Sequence, residues 1–326
     1  MLKVATNTRQ HILQLCQSVR KQVSRMVCSI ILLAIAAPLP AADMLYVSLG
    51  NNTIVSFDTT GNDGATIAAT MSTFANTNLN NPQGLKFDSS GNLYVANAAD
   101  NTISKFNASG GYVSNISTNL NSPSGLAFDS SGNLYATNYN GSIANTISVF
   151  NTSGGFVKSI GSNSNLSGPS DLAFDSTGNL YATNLGLLTI TKFNASGAYV
   201  SNFGSNLLQS YGLAFDSSGN LYANDGNDNI VKFNASGTYV SNIGSNLNGP
   251  SGLAFDSSGN LYAANFYDNT ISKFNSSGIF LTSWSTGTAS PNYLAFTVPE
   301  PSTYALATIA TGVMAYLARR RKARTA

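Results

Sequence analysis

The chain has 326 residues, with sixteen Lys and Arg, fourteen Asp and Glu, and a formal net charge of +2. Between residues 43 and 298 there are six Lys, no Arg and thirteen Asp, so this part carries a charge of −7 and lacks the basic surface that binds nucleic acid. It also has no His, Cys or Glu, which excludes His- or Cys-based zinc sites, disulfides, and Ser–His or Cys–His nucleophilic centres there. No cofactor is predicted.

Residues 1–42 predict a secretory signal peptide. The first 25 residues are polar with five positive charges, and residues 27–37 form an apolar run, VCSIILLAIAA. At 1.5 Å per residue this run spans about 16 Å as a helix, well short of a bilayer core of roughly 30 Å. The small residues Ala41 and Ala42 follow, which favours cleavage near Ala42. A buried hydrophobic strand is the alternative.

Residues 43–298 contain one motif of about 41 residues, repeated along the chain. Sequences such as GLAFDSSGNLYATN begin at Gly84, Gly125, Asp171, Gly212 and Gly252. In the second of them, strand patterns cover residues 126–128, 134–137, 146–150 and 156–160, separated by turn sequences such as DSSGN. Four short antiparallel strands per repeat are typical of a β-propeller blade.

The two ends of the repeat array are complementary. The array starts at Leu45 and Tyr46, which match a second strand, and it finishes at 293–296, which match a first strand. Pairing of these ends in one blade closes the ring and removes an exposed sheet edge. Six Leu–Tyr second strands therefore predict an all-β, six-bladed propeller over residues 43–298, flanked by helical signal and anchor segments. An open β-solenoid explains the repeats but not the complementary ends.

The repeat resembles the NHL family of β-propellers in its Gly–Leu–Ala–Phe–Asp, Gly–Asn–Leu–Tyr and Asn–Thr–Ile–Ser–Lys–Phe segments. The resemblance implies a propeller of six four-stranded blades. Where the family commonly has Asp at the end of the second strand, we align Asn97, Asn138, Asn184, Asn224 and Asn265. Where it often has Arg before the third-strand Ile, this chain has Thr, so the Arg-dependent recognition of RNA or protein does not carry over.

Catalysis is not expected from this propeller. Some six-bladed relatives hydrolyse lactones with a metal held by Glu, Asn and Asp, and others are lyases that use His; this chain lacks Glu and His between residues 43 and 298. A hydrolase or lyase without the usual His/Glu metal site is the alternative.

The repeated turn aspartates are predicted to be structural. Asp225 and Asp228 are a weak candidate calcium site, because their spacing does not match the twelve-residue calcium loop.

Links between the second and third strands, together with links between blades, predict a binding face on one side of the ring. An uncharged, Asn-rich surface with exposed aromatic rings suits sugar hydroxyls and ring faces. We therefore expect binding of extracellular polysaccharide or a surface protein, with a passive matrix or scaffold role as the other possibility. The candidate residues are Asn97, Asn138, Tyr139, Asn184, Asn224, Asn265, Phe266 and Tyr267.

Residues 299–326 contain Pro299–Glu300–Pro301, a mostly apolar span at 303–318, and a basic tail with Arg319, Arg320 and Arg321. This order resembles the PEP-CTERM sorting signal of Gram-negative bacteria. The resemblance implies export across the inner membrane, transient anchoring there, processing by an exosortase-type enzyme, and a final place in the cell envelope, on the outer surface or in the extracellular matrix. A permanent C-terminal anchor is the alternative.

Overall fold

The computed structural model describes residues 43–61, 63–139, 145–161, 165–204 and 207–297. These residues form six antiparallel four-stranded sheets arranged in a ring, which confirms the predicted six-bladed β-propeller. The predicted signal peptide (1–42) and the predicted sorting segment (299–326, with its span at 303–318) lie outside the described residues. In the part of the chain that the structure describes, no helix is long and apolar enough to cross a membrane.

Blade 1 combines strands from both ends of the repeat array with one short helix, α1 (Gly64–Ala68). Its strands are β1 (Met44–Leu49), β2 (Thr53–Asp58), β3 (Ser72–Ala75) and β24 (Pro291–Phe296). Blade 2 contains β4 (Pro82–Phe87), β5 (Leu93–Asn97), β6 (Thr102–Phe106) and β7 (Tyr112–Ile116). Blade 3 contains β8 (Pro123–Phe128), β9 (Leu134–Asn138), β10 (Thr146–Phe150) and β11 (Phe156–Ile160).

The remaining three blades repeat the same pattern. Blade 4 contains β12 (Pro169–Phe174), β13 (Leu180–Asn184), β14 (Thr189–Phe193) and β15 (Tyr199–Phe203). Blade 5 contains β16 (Leu213–Phe215), β17 (Leu221–Asp225), β18 (Asn229–Phe233) and β19 (Tyr239–Ile243). Blade 6 contains β20 (Pro250–Phe255), β21 (Leu261–Asn265), β22 (Thr270–Phe274) and β23 (Phe280–Ser285). The inner strands β4, β8, β12, β16, β20 and β24 contact one another and surround the central axis.

Blade 1 brings the first and last strands of the array into one sheet, in the order β24–β1–β2–β3. Strand β24 pairs antiparallel with β1, with Leu45 opposite Phe296 and Tyr46 opposite Ala295. The backbone groups on the inner edge of β1 therefore have partners, and the strand is not left as an open edge.

The same kind of aromatic contact joins each blade to the next. The second-strand Tyr of each blade packs edge-on against the inner-strand Phe of the following blade, with ring centroids 4.8–5.1 Å apart. This T-shaped geometry suits the quadrupoles of two aromatic rings and adds to the burial of their apolar area. The repeated Tyr and Phe of the sequence are thus the residues that hold neighbouring blades together. The pairs are Tyr46–Phe87, Tyr94–Phe128, Tyr135–Phe174, Tyr181–Phe215, Tyr222–Phe255 and Tyr262–Phe296.

The aspartate of each Asp–Ser/Thr turn holds that turn in place, as predicted. Oδ1 of Asp88 accepts hydrogen bonds from the backbone N–H groups of Ser90 and Asn92, both at 2.9 Å, and Oδ2 accepts from Nδ2 of Asn92 at 2.8 Å. Gly91 supplies the left-handed residue that the turn needs, with φ of 76°. The same backbone bonds recur at Asp129, Asp175, Asp216 and Asp256.

The repeated prolines lie at the start of inner strands rather than in the links between blades. Proline at the first position of a strand does not remove a ladder hydrogen bond, which explains why the strand tolerates it. Blade 5 has Ser210 at this position, and its inner strand begins only at Leu213. The prolines that begin strands are Pro82, Pro123, Pro169, Pro250 and Pro291.

Candidate ligand-binding cleft

A cleft of about 760 Å³ opens on the face of the propeller where second-to-third-strand loops meet the links that lead into inner strands. Blades 1, 2, 5 and 6 contribute to its walls. Loops contribute Gly50, Asn51, Gly226, Phe266 and Tyr267; links contribute Asn81, Gln209, Tyr211, Gly249, Thr288, Ala289 and Ser290; and the starts of inner strands contribute Gln83, Pro250, Ser251, Asn292 and Tyr293.

The described lining of this cleft mixes polar and apolar groups and contains no charged side chain. Side-chain amides, which can both donate and accept hydrogen bonds, are spread around the wall. Nε2 of Gln83 donates to Oδ1 of Asn81 at 2.9 Å, and this bond orients both amides. The amide-bearing residues are Asn51, Asn81, Gln83, Gln209 and Asn292.

Phe266 and Tyr267, two of the candidate binding residues, form an aromatic corner at one side of the cleft. Their rings are T-shaped with centroids 5.5 Å apart, and Tyr267 is 70% exposed. The backbone N–H of Phe266 donates to the carbonyl of Gly249 at 3.1 Å, which fixes the loop against the neighbouring link. A Cβ on Gly249 would collide with the Tyr267 ring, so glycine leaves room for that ring.

Tyr211 is a cleft residue that the sequence analysis missed. It stands where other blades have Gln83, Ser124 or Ser170, and it follows Ser210 instead of a proline. Burial raises its pKa, and the nearby phenols of Tyr139 and Tyr267 add to the rise. Tyr139, a predicted site residue, is exposed and close to Tyr211, but it does not line the cleft.

Tyr293 forms part of the floor and was also missed. Its side chain reaches across the axis from blade 1, where its hydroxyl lies 2.9 Å from Oγ of both Ser124 and Ser170 and donates to the carbonyl of Tyr211 at 3.2 Å. Burial raises its pKa, so the phenol stays protonated at neutral pH. The signal for both missed residues is a departure from the repeat: Tyr293 stands where four other inner strands have glycine.

Those glycines explain why a large side chain at this position is unusual. A Cβ at Gly84, Gly125 or Gly252 would collide with the backbone of the next inner strand, so the strands approach closely around the axis. Blade 4 has Asp171 there, and its carboxylate accepts from the backbone N–H groups of Leu172 and Leu213, both at 2.8 Å. Burial raises the pKa of Asp171 to about 6, and Asp171 does not line the cleft.

The five predicted asparagines are inside the blades and require a correction. Asn97, Asn138, Asn184, Asn224 and Asn265 are at most 1% exposed, so their side chains do not form the binding face. Oδ1 of Asn97 accepts from the backbone N–H of Asn80, and Nδ2 donates to Oγ of Ser104 at 2.9 Å. The asparagine therefore ties the end of its strand to the link from the preceding blade.

Asn224 differs from the other four because it lies one residue earlier in its strand, at the position that Thr183 occupies in blade 4. Its Oδ1 accepts from the backbone N–H of Gly212 at 2.6 Å, which is the role of Thr137 and Thr183 in blades 3 and 4. The residue equivalent to Asn184 in blade 5 is Asp225, whose Oδ1 accepts from the N–H of Leu208 at 3.0 Å. Blade 5 therefore has an aspartate at this position, so the departure from the NHL pattern that we expected at Asn224 does not hold there.

The two carboxylates of the candidate calcium site make hydrogen bonds that asparagines make in other blades. Asp228 has φ of 58° and accepts from the N–H of Gly249 at 2.6 Å, as Asn101 accepts from Ser122 at 2.7 Å. Asp225 is bonded to Leu208. Across the described residues, no group of three or more His, Cys, Asp or Glu side chains could hold a metal ion. These contacts give both aspartates a structural role.

Residues 297–322 match the PEP-CTERM protein-sorting motif. The match includes Pro299, Glu300, Pro301, Arg319, Arg320 and Arg321, the residues predicted for the sorting signal. The protein therefore carries the signal for export and sorting to the cell envelope of a Gram-negative bacterium, with processing by an exosortase. No curated protein sequence matches the chain.

Solved structures share the propeller fold at low sequence identity. The crystal structure of a nidogen/laminin complex contains a chain that is 18% identical with a TM-score of 0.66, covering 80% of this chain and 100% of that one. Virginiamycin B lyase from Staphylococcus aureus is 21% identical with a TM-score of 0.54, covering 66% and 77%. A protein of unknown function from Bacteroides caccae is 13% identical with a TM-score of 0.61, covering 79% and 100%. These similarities show the fold alone.

Proposed function

We propose that this envelope-sorted propeller binds a neutral extracellular polysaccharide in the cleft and does not catalyse a reaction. The observation that carries the proposal is a cleft lined by side-chain amides and an exposed aromatic corner, with no charged side chain in its described lining. We place the processed protein on the outer surface or in the extracellular matrix, where such a polymer is present.

The two kinds of lining side chain suit two parts of a sugar. Hydroxyl groups donate and accept hydrogen bonds, and amides such as those of Asn51, Gln83 and Gln209 can match both roles. The apolar face of a sugar ring packs on an aromatic face, which Tyr267 offers at the rim. An anionic polymer would find no cation in the described wall, so we favour a neutral one.

The same lining supports binding without catalysis. General acid–base catalysis needs a group that changes protonation near the working pH. The titratable side chains in the described lining are tyrosines, and burial raises the pKa of both Tyr211 and Tyr293. Asp171 titrates in a useful range, but it is buried behind the floor and bonded to two backbone N–H groups.

Calorimetric measurement of binding to neutral polysaccharide fractions, purified from a bacterium that produces this protein, tests the proposal. We expect binding that persists at high salt, because no ion pair is involved, and Tyr267→Ala should weaken it about tenfold, the loss of one good stacking contact. Tyr239→Ala is the matched control, since Tyr239 is also more than half exposed but lies on an outer strand. Absence of binding to every fraction, or an equal loss of affinity in both variants, would overturn the cleft assignment. Shortening of the polysaccharide chains after incubation with the protein would show that it is an enzyme.

A further inference from the structure

The outermost strands of blades 2 to 5 present the same apolar pair to solvent. Each of these strands begins with an aromatic residue followed by valine, and all eight side chains are 40–58% exposed. Each strand has a hydrogen-bonded neighbour on one side and a free edge on the other. The four pairs are Tyr112–Val113, Phe156–Val157, Tyr199–Val200 and Tyr239–Val240.

A bulge explains why both members of each pair are exposed. In blade 2, Lys105 is opposite Ser114 and Phe106 is opposite Tyr112, so Val113 has no residue opposite it in β6. The same shift recurs in blades 3, 4 and 5. In a regular strand, successive side chains point to opposite faces of the sheet. The extra residue of the bulge interrupts this alternation, so both side chains of the pair are exposed.

These edges lack the charges that usually keep strand edges apart. Exposed edge strands in soluble proteins commonly carry lysine or other charged residues that prevent pairing with another chain. In β7, β11, β15 and β19 the single charged residue is Lys158, and its ammonium group donates to the carbonyl of Ser196 in the next blade at 2.9 Å. The net charge of −7 on residues 43–298 comes from aspartates elsewhere, so it does not act at these edges.

We infer that the outer strands of blades 2 to 5 pair edge to edge with the same strands of other copies of this protein. Two identical strands can pair antiparallel about a two-fold axis, which makes the edge its own complement. Pairing centred on Ser114 places Tyr112 of one copy opposite Ile116 of the other. The second copy is the partner that the edge fits, because it supplies strands of the same length with the same pair of aromatic and aliphatic side chains, and three of the four contain no charged residue.

The size of one edge predicts how this assembly behaves. A five-residue strand is about 17 Å long, and one such pair buries less than the roughly 1,200 Å² of a stable dimer interface. A single contact is therefore weak. Four similar edges around one ring allow several contacts at once, and several weak contacts add through effective concentration. The expected product is an open lattice that grows with protein concentration. This inference does not depend on polysaccharide binding, because the edges lie outside the cleft.

Sedimentation velocity of the processed protein over a wide concentration range tests the lattice. The edge variant combines Val113→Lys, Val157→Lys, Val200→Lys and Val240→Lys. We expect it to raise the apparent dissociation constant at least about tenfold, because the two lysines of each strand pair then lie diagonal to one another across the pair and repel. The matched control combines Ala108→Lys, Thr152→Lys, Ala195→Lys and Ala235→Lys, which add the same charge at exposed turn residues of the same blades.

The outcomes separate an edge contact from an effect of net charge. Loss of association in the edge variant with retention in the control supports the inference. A wild-type protein that stays monomeric at all concentrations, or equal losses in both variants, overturns it. If the fourfold edge variant does not fold, the pair Val113→Lys and Val200→Lys replaces it against Ala108→Lys and Ala195→Lys, with the same expected order of association.

Discussion

The ring of Tyr262 packs edge-on against the ring of Phe296, with their centroids 4.9 Å apart. Tyr262 belongs to the second strand of blade 6, and Phe296 belongs to β24, the strand that pairs with β1. The hydroxyl of Tyr262 also donates to Oδ2 of Asp256 at 3.0 Å. The contact that joins every other pair of successive blades thus also joins the last blade to the first.

Replacing Phe296 tests how much this last contact stabilises the propeller. We expect Phe296→Ala to lower the free energy of unfolding by about 2–3 kcal/mol, because it removes an aromatic side chain packed between two blades. The control is Phe266→Ala, an exposed residue at the rim of the cleft, with an expected loss below about 1 kcal/mol. Urea unfolding measures both values, and equal losses would contradict a special role for the contact.

Exchanging amide and carboxylate tests the roles assigned to Asn184 and Asp225. Nδ2 of Asn184 donates to the carbonyl of Asn165 and to Oγ1 of Thr191, both at 2.9 Å, and a carboxylate cannot donate either bond. In blade 5 the residue equivalent to Thr191 is Val231, so an amide has no hydroxyl partner there.

We therefore expect Asn184→Asp to lower the free energy of unfolding by at least about 2 kcal/mol, because acceptors would face each other in a buried site. Asp225→Asn should change it by less than about 0.5 kcal/mol, since Oδ1 can still accept from Leu208. Unfolding in urea at neutral pH compares the two. A larger loss from Asp225→Asn would show that the alignment of blade 5 given above is wrong.

Asp171 should make stability depend on pH. Burial raises its pKa to about 6, although the N–H groups of Leu213 and Leu172 and the ammonium of Lys86 favour the carboxylate. In the unfolded chain an aspartate titrates near 3.9, so between about pH 4 and 6 the folded state holds a proton that the unfolded state has released. Stability therefore falls as pH rises through this window, by on the order of 2–3 kcal/mol.

The comparison with Asp171→Asn isolates this effect. The pKa values of Asp175 and Asp216 are lowered in the folded protein, so these carboxylates reduce its stability only as the pH becomes more acidic. Both residues are present in the wild type and in the variant, so their effect cancels in the comparison. We expect the difference in stability between wild type and variant to change across about pH 4–6 and to be constant above it. Thermal unfolding at a series of pH values measures this difference. A difference independent of pH would mean that Asp171 titrates normally.

Tyr211 offers a substitution that the protein itself suggests, because blades 3, 4 and 6 have serine at the equivalent position. We expect Tyr211→Ser to weaken polysaccharide binding about tenfold, because it removes an aromatic wall, while leaving the unfolding midpoint nearly unchanged. Tyr199→Ser, on an outer strand, is the control for loss of an exposed tyrosine. Calorimetry on both variants decides, and unchanged affinity in Tyr211→Ser would remove this residue from the site.

The sequence by itself determined the repeat, the number of blades and the sorting motif. Turn aspartates and strand patterns are local and recur along the array, so each copy in the chain repeats the same evidence. Residues that depart from the repeat indicate where the cleft lies. Tyr211 and Tyr293 could have been found as departures, since each replaces a small or short polar residue of the other inner strands.

Only the tertiary structure decided which polar side chains face a ligand. Asn97 and its equivalents end a strand next to a loop, where sequence alone places them on the surface. In the propeller the link from the preceding blade covers them, and its backbone N–H supplies their partner. Burial of a polar group depends on what packs over it from a distant part of the chain. The cleft follows the same rule, because its walls come from residues that lie far apart in sequence, from Gly50 to Tyr293, and meet around the axis.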